Sequence, residues 1–232
     1  MALETTDYRL PPSQVAAQQS VRGFMAGVYR WMTLGLALTG VVALYMASQP
    51  QMLGVVAHYW WVLLIAQLGL VFGLSAAASR LSFGVAALLF LVYAALTGVT
   101  FGVIFYAYTQ SSIASAFVMT AGAFGALSIY ASVTKRSLSG WGTFLFVGLV
   151  GIVIASLVQM FWPNPMLNFV MGCAGVVVFA GLTAYDTQKL RQMHLQAGSE
   201  GVASLSIIGA LTLYLDFINL FISLLRIFGR RD

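Results

Sequence analysis

The sequence predicts an all-α membrane protein whose chain crosses the bilayer seven times. Hydrophobic residues make up 60% of the 232 residues, charged residues only 7%, and the mean hydropathy is +0.92. Soluble domains carry about 25% charged residues, so this composition excludes that class. The net charge of +5 does not indicate nucleic-acid binding, because the lysines and arginines lie in links and at the ends of the chain. It is a topology signal instead.

The chain divides into a short tail and one membrane domain. Residues 1–24 are polar, contain Pro11 and Pro12 and lack an apolar core, so we expect a flexible cytoplasmic tail there. Residues 25–232 form a single transmembrane domain. Its seven apolar segments, each about the length of a bilayer-spanning helix, are residues 28–48, 59–78, 83–106, 113–133, 142–161, 166–197 and 204–228.

The basic residues of the links predict the orientation. Positively charged links alternate with links that have no Lys or Arg; the charged positions are Arg9, Arg22, Arg30, Arg80, Lys135, Arg136, Lys189 and Arg191. The positive-inside rule then places the N-terminus in the cytoplasm. Seven spans would leave the C-terminus outside, although Arg226, Arg230 and Arg231 lie there. Either the last hairpin overrides the rule or the last helix turns back, and we favour a full span.

A polar stripe marks the seventh segment. Asp216 lies in the middle of this apolar run, where a carboxylate costs several kcal/mol unless it faces the protein interior. Steps of three and four residues place other polar or small residues on the same helix face: Gly209, Thr212, Asn219, Ser223, Arg226 and Arg230. The other residues around the helix are mostly Leu, Ile and Phe. We therefore expect the remaining helices to enclose this one.

Asp186, in the sixth segment, is the other acid inside an apolar segment. The link between the sixth and seventh segments centres on Gly198 and Gly201. At about 1.5 Å per helical residue, Asp186 and Asp216 each lie roughly 17 Å from this link. Two antiparallel helices would therefore hold the two carboxyl groups at the same depth in the membrane.

Two carboxyl groups at one depth predict a proton-sensitive site. Close carboxylates away from water repel each other, so the pair would share a proton near neutral pH and titrate as a unit. Hard oxygen ligands suit Ca²⁺, so Asp186 and Asp216 are candidates for transient calcium binding. Thr212 and Asn219 either line the same path or only bond helix to helix. The alternative for the acids is a structural hydrogen-bonded pair.

Two short motifs carry a resemblance to a known family. The stretches Gly181-Leu-Thr-Ala-Tyr-Asp-Thr-Gln-Lys-Leu190 and Leu213-Tyr-Leu-Asp-Phe-Ile-Asn-Leu-Phe221 resemble the Bax inhibitor-1, or transmembrane Bax inhibitor motif, family, and are most similar to its bacterial members. The likeness covers nearly all the chain from Gly23. It implies a bacterial inner-membrane protein of seven helices, with the C-terminal helix central and wrapped by the other six.

The resemblance also implies a function. Bacterial relatives are described as pH-sensitive calcium leak channels, with Ca²⁺ as the permeant ion and no cofactor. Their two acids correspond to Asp186 and Asp216. An arginine that acts as a latch on the first acid corresponds to Arg80, which here lacks the basic neighbours seen in some relatives. Other relatives modulate a membrane-bound AAA protease, and residues 1–24 could supply that contact.

An intramembrane protease is the enzymatic alternative, and the sequence disfavours it. Aspartyl proteases of this kind need Gly-x-Gly-Asp around the second acid and a later Pro-Ala-Leu, whereas Asp216 follows Leu213-Tyr-Leu and no such proline follows. A serine–histidine dyad also fails, because His58 and His194 lie in or near links. The two histidines have no metal-ligand spacing either. We expect a protein that is not an enzyme.

Overall fold

The structure, a computed structural model, describes residues 12–76, 81–196 and 202–231. In these ranges the chain forms α-helices joined by short links, with a single 3₁₀ turn at Ser139–Trp141. The helices are α1 (Pro12–Ala47), α2 (Pro50–His58), α3 (Trp60–Ala76), α4 (Phe83–Ala107), α5 (Gln110–Val133), α6 (Gly142–Phe161), α7 (Pro165–Gln196) and α8 (Val202–Phe228). The predicted all-α class is confirmed. The predicted segments correspond in order to α1 and α3–α8.

Local capping explains where several helices begin. Thr109 precedes α5 and its hydroxyl accepts a hydrogen bond from the Ser112 amide. Asn164 precedes α7, and its side-chain oxygen accepts from the amides of Met166 and Leu167. Pro165 then takes the first helical position, where a missing N–H costs nothing.

The first helix begins earlier than the predicted tail allowed. We expected a flexible tail to residue 24, but α1 starts at Pro12, so residues 12–24 are helical; residues 1–11 lie outside the described residues. Val21, Phe24 and Val28 are buried at helical spacing against the rest of the bundle. This apolar stripe, preceded by good helix formers, stabilises roughly three and a half further turns that a search for continuous apolar runs cannot detect.

A second difference concerns the link after α1. The sequence predicted only a link between the first two segments, and the structure places the short helix α2 there, with Pro50 at its start. Leu53 of α2 is buried beside Gly102 of α4. The axes of α2 and α3 differ by 72°, so these two helices form one broken span or a re-entrant segment. The described residues thus hold six candidate spans, or seven if the bent pair counts as one.

Helix α8 lies at the centre of the bundle. About 67% of its span is buried, against at most 39% in any other candidate span of the described residues. It packs mainly against α7, α1, α5 and α4, while α3 lies on α4 and α6 lies on α7. The predicted central position of the C-terminal helix is confirmed, and its enclosure consists of an inner ring of four helices with α3 and α6 outside them.

Glycines allow the closest helix contacts. A Cβ atom on Gly98 of α4 would lie 2.8 Å from the carbonyl oxygen of Thr39 on α1. On α7, a Cβ atom on Gly172 would lie 3.2 Å from the carbonyl oxygen of Ser223, and one on Gly175 would overlap the Ser223 side chain. These glycines therefore let α1 approach α4 and let α7 approach α8.

The C-terminal end of α8 packs against the α4–α5 link. The Thr109 amide donates to the carbonyl of Arg230, and the Arg230 amide donates to the hydroxyl of Ser112. Arg231 forms an isolated bridge with Tyr108, and its guanidinium lies 5.3 Å from that ring's centre. Because α8 is continuous to Phe228, it does not turn back. The segment after it lies at the end of the molecule opposite the start of α8.

Candidate functional site: a cavity with two buried acids

A cavity of about 400 Å³ lies between α6, α7 and α8. Asp186 of α7 and Asp216 of α8 both line it. Their carboxyl groups are close enough to interact electrostatically. The structure therefore places both acids at one site, as their distances from the α7–α8 link predict.

Thr212 and Asn219 also line this cavity. The Thr212 hydroxyl donates to the carbonyl of Ile208, and the Asn219 amide nitrogen donates to the carbonyl of Leu215. Both side chains thus bond to the backbone one helical turn earlier. The structure places these two residues both on the cavity wall and in bonds within α8.

Asp216 differs from its neighbours on the stripe. Its side chain is only 5% exposed. An ionised carboxylate only accepts hydrogen bonds, so it cannot donate to a backbone carbonyl as threonine, asparagine and serine do. Its Oδ2 atom is buried and has no hydrogen-bond partner in the described part of the chain. Leaving such an oxygen unpaired away from water is costly, so it needs a proton or a cation beside it.

Asp186 has a different environment. It is half-buried, and the Lys189 ammonium on the next turn of α7 interacts with it electrostatically. Lys189 also lies 5.7 Å from the centre of the Tyr185 ring, and both side chains line the cavity. From the sequence, Lys189 was interpreted only as a topology charge. Its position three residues after Asp186 is the signal that could have placed it at the site.

Arg80, the predicted latch, lies outside the described residues. Lys189 is therefore the cation that the described part of the structure places at the acids. No group of three or more His, Cys, Asp or Glu side chains that could hold a metal ion occurs among the described residues. At this site, carboxylates come only from Asp186 and Asp216 within those residues, with Thr212 and Asn219 as the neutral oxygen-bearing neighbours.

The fold and this cavity define a class: helical polytopic membrane proteins whose central C-terminal helix carries a buried acid that shares a cavity with an acid of the preceding helix. The chain belongs to the Bax inhibitor-1 family. The sequence profile described as "Inhibitor of apoptosis-promoting Bax1" matches residues 21–232. Inner membrane protein YbhL of Escherichia coli K12 is 50% identical, over 96% of this chain and 99% of that protein.

Other relatives are found in other bacteria. A protein of Deinococcus radiodurans is 46% identical, over 95% of this chain and 96% of its own length. A membrane protein of Streptococcus pyogenes is 37% identical, over 90% of this chain and 93% of its own length. None of these three relatives carries an enzymatic name. The predicted family is confirmed, as is the membrane class.

Proposed function

We propose that this protein is a pH-sensitive leak channel for Ca²⁺ in the bacterial inner membrane, gated by Asp186 and Asp216. The observation that carries the proposal is the buried Asp216 Oδ2, which has no hydrogen-bond partner among the described residues and shares a cavity with Asp186. Ionisable residues inside membrane proteins usually mark ion pathways or proton relays. A carboxylate held in this way has two ways to be satisfied, a proton or a cation, and a pH-gated cation path uses both.

The proton controls the closed state. When one proton is shared, the two carboxyl groups form a hydrogen bond across the α7–α8 contact and their mutual repulsion is removed. As pH rises this proton is lost, and two like charges then face each other in a cavity of low polarity. Repulsion separates the groups or draws in a cation. Leak is therefore low in acid and increases with pH.

Calcium fits the chemistry of the cavity as a passing ion. Ca²⁺ takes six to eight oxygen ligands in flexible arrangements. Asp186 and Asp216 supply two carboxylates, while Thr212 and Asn219 supply neutral oxygens on the same wall. Such a set is incomplete for tight binding without water. Weak binding suits conduction, because an ion must leave the site as readily as it enters.

Cations beside the pair set the balance between the two states. Lys189 interacts with Asp186 from the same helix. Arg80 is the second candidate, as the family resemblance implies a latch between this arginine and Asp186. A cation that holds Asp186 away from Asp216 weakens the shared hydrogen bond. Whether Asp186 pairs with Asp216 or with one of the two cations therefore sets how readily the gate opens.

A flux measurement tests the proposal. Purified protein in liposomes loaded with a calcium-sensitive dye should admit Ca²⁺, more at pH 8 than at pH 5, the range of about three units around neutrality in which a shared proton would be lost. Protein-free liposomes give the lower limit of Ca²⁺ entry, and liposomes with a calcium ionophore give the upper limit. Absence of flux above that of empty liposomes would overturn the channel proposal.

A regulatory role is the second candidate. The N-terminal part of α1 extends the helix beyond the predicted apolar segment, and residues 16–20 are exposed. This surface could bind a membrane-bound AAA protease. Capture of such a protease through residues 1–24, combined with no calcium flux, would favour the regulatory role over transport.

A further inference from the structure

A long groove runs between α1 and α5, on a different side of α8 from the acid cavity. Its apolar part has a volume of about 900 Å³, and Phe217 of α8 lies at its base. Phe117 of α5 lines both this part and a further cavity of about 600 Å³ towards the α4–α5 link. At about 1.5 Å per residue, the wall from Phe117 to Ser132 is roughly 22 Å long, which exceeds the roughly 15 Å of one leaflet of hydrocarbon.

The other end of the groove is polar and basic. Ser132 of α5 lines both the apolar groove and a cavity of about 590 Å³ that includes Arg22 of α1 and Arg191 of α7. One guanidinium N–H of Arg191 donates to the Ser132 carbonyl at 2.5 Å. An arginine has five N–H donors, so others remain for a ligand. This contact places the charge of Arg191 at the point where the apolar groove begins.

The positive charge of this end is not neutralised by the described residues. Asp186 and Asp216 are the only acids in the described ranges, and both line the separate acid cavity. The residues around Arg22 and Arg191 are neutral, among them Thr134, Gln188 and Gln192. Amide and hydroxyl groups of this kind complement a phosphate beside two guanidinium groups.

We propose that this combined site binds one anionic phospholipid. The phosphate lies between Arg22 and Arg191, and an acyl chain follows the groove between α1 and α5 towards Phe117. A lipid without net charge would fill only the apolar part of the site. The two arginines complement a negative charge, so the site favours an anionic headgroup. The occupied groove would join α1 to α5, two helices that otherwise meet mainly through α8.

Competitive lipid binding to the purified protein tests the headgroup. The protein in detergent micelles is given equal amounts of phosphatidylglycerol and phosphatidylcholine with identical chains, and the retained lipid is counted by native mass spectrometry. We expect phosphatidylglycerol to be retained preferentially. Arg22→Gln and Arg191→Gln should each reduce that preference about fivefold. Arg136→Gln removes an equal charge from the neighbouring α5–α6 link and should leave the preference unchanged.

Substitutions at two glycines of α5 test whether the acyl chain occupies the groove. A Cβ atom at Gly125 would meet no atom within 4 Å, and Gly125 lines the groove, so a larger side chain there would enter it. Gly122 also has free space but does not line the groove. Gly125→Leu should therefore reduce lipid retention, whereas Gly122→Leu should not. Circular dichroism establishes that each variant remains folded.

Three results would overturn the proposal. The first is equal retention of the two lipids by the unaltered protein. The second is an unchanged preference in folded Arg22→Gln and Arg191→Gln. The third is equal binding by the two leucine variants, which would show that the lipid does not enter the groove. None of these measurements depends on calcium flux, so they stand apart from the proposed channel function.

Discussion

The hydroxyl of Tyr214 lies 2.7 Å from Oγ1 of Thr39, and both side chains are buried in the centre of the bundle. Thr39 donates its single hydroxyl proton to the carbonyl of Ala94, so Tyr214 is the donor to Thr39. The chain of hydrogen bonds connects α8, α1 and α4. Phe90 and Tyr93 pack edge-on against the Tyr214 ring. This polar contact inside an aromatic cluster therefore helps to fix the central helix to α1 and α4.

Removing the Tyr214 hydroxyl tests this contact. We expect Tyr214→Phe to lower the free energy of unfolding by about 0.6–1 kcal/mol, because Thr39 keeps its bond to Ala94. Tyr214→Ala should cost about 3–5 kcal/mol by leaving a cavity. Unfolding by denaturing detergent measures both. Tyr130→Phe, at an exposed ring, is the control. Equal stability of Tyr214→Phe and the unaltered protein would mean that the contact contributes nothing.

Gly175 tests the close approach of α7 to α8. A Cβ atom there would overlap the Ser223 hydroxyl, so Gly175→Ala should destabilise the protein by about 1–3 kcal/mol. Ser223→Ala should recover part of this loss, because it removes the overlapping oxygen. Gly151→Ala is the matched control, since a Cβ atom there meets no atom within 4 Å. Gly175→Ala as stable as Gly151→Ala would contradict the close contact.

Much of the acid site could be predicted from the sequence, because helical geometry is regular. Equal distances from one short link place Asp186 and Asp216 at one depth, and a polar stripe must be covered in a membrane. Lys189 was missed because its charge also fits a topology signal. The groove between α1 and α5 depends on which helices pack together, and no local pattern carries that information.

The start of α1 shows a similar limit of sequence-based prediction. Val21 and Phe24 lie on one buried stripe of the helix. In the sequence Arg22 and Gly23 separate them, so the region has no continuous apolar run. Burial on neighbouring helices determines that this part is helical. At the other end of the molecule, the contact of Arg231 with Tyr108 joins residues distant in the sequence. The positive-inside rule counts charges along the sequence and does not anticipate such tertiary contacts.

Asn219 tests the ion path separately from the gate. Asn219→Leu removes one neutral oxygen from the cavity while leaving both acids in place. We expect calcium flux to fall about fivefold, the effect of losing one polar contact of about 1 kcal/mol, with the pH dependence retained. Thr120→Val removes a buried hydroxyl that does not line the acid cavity and serves as the control. If the calcium flux of Asn219→Leu equals that of the control, Asn219 does not contribute to the ion path.

The acid pair itself gives the sharpest prediction. Asp186→Asn and Asp216→Asn each eliminate the shared proton and the repulsion between two carboxylates, so each should abolish the pH control of calcium leak and not merely lower its rate. Because the pair acts as a unit, the double variant should resemble the single variants instead of adding their effects. Calcium influx into liposomes is measured across about pH 5 to 8. Glu200→Gln removes an acid from the α7–α8 link and should retain the normal profile. If both Asn variants keep that profile while remaining folded, the two acids are structural and the gate lies elsewhere.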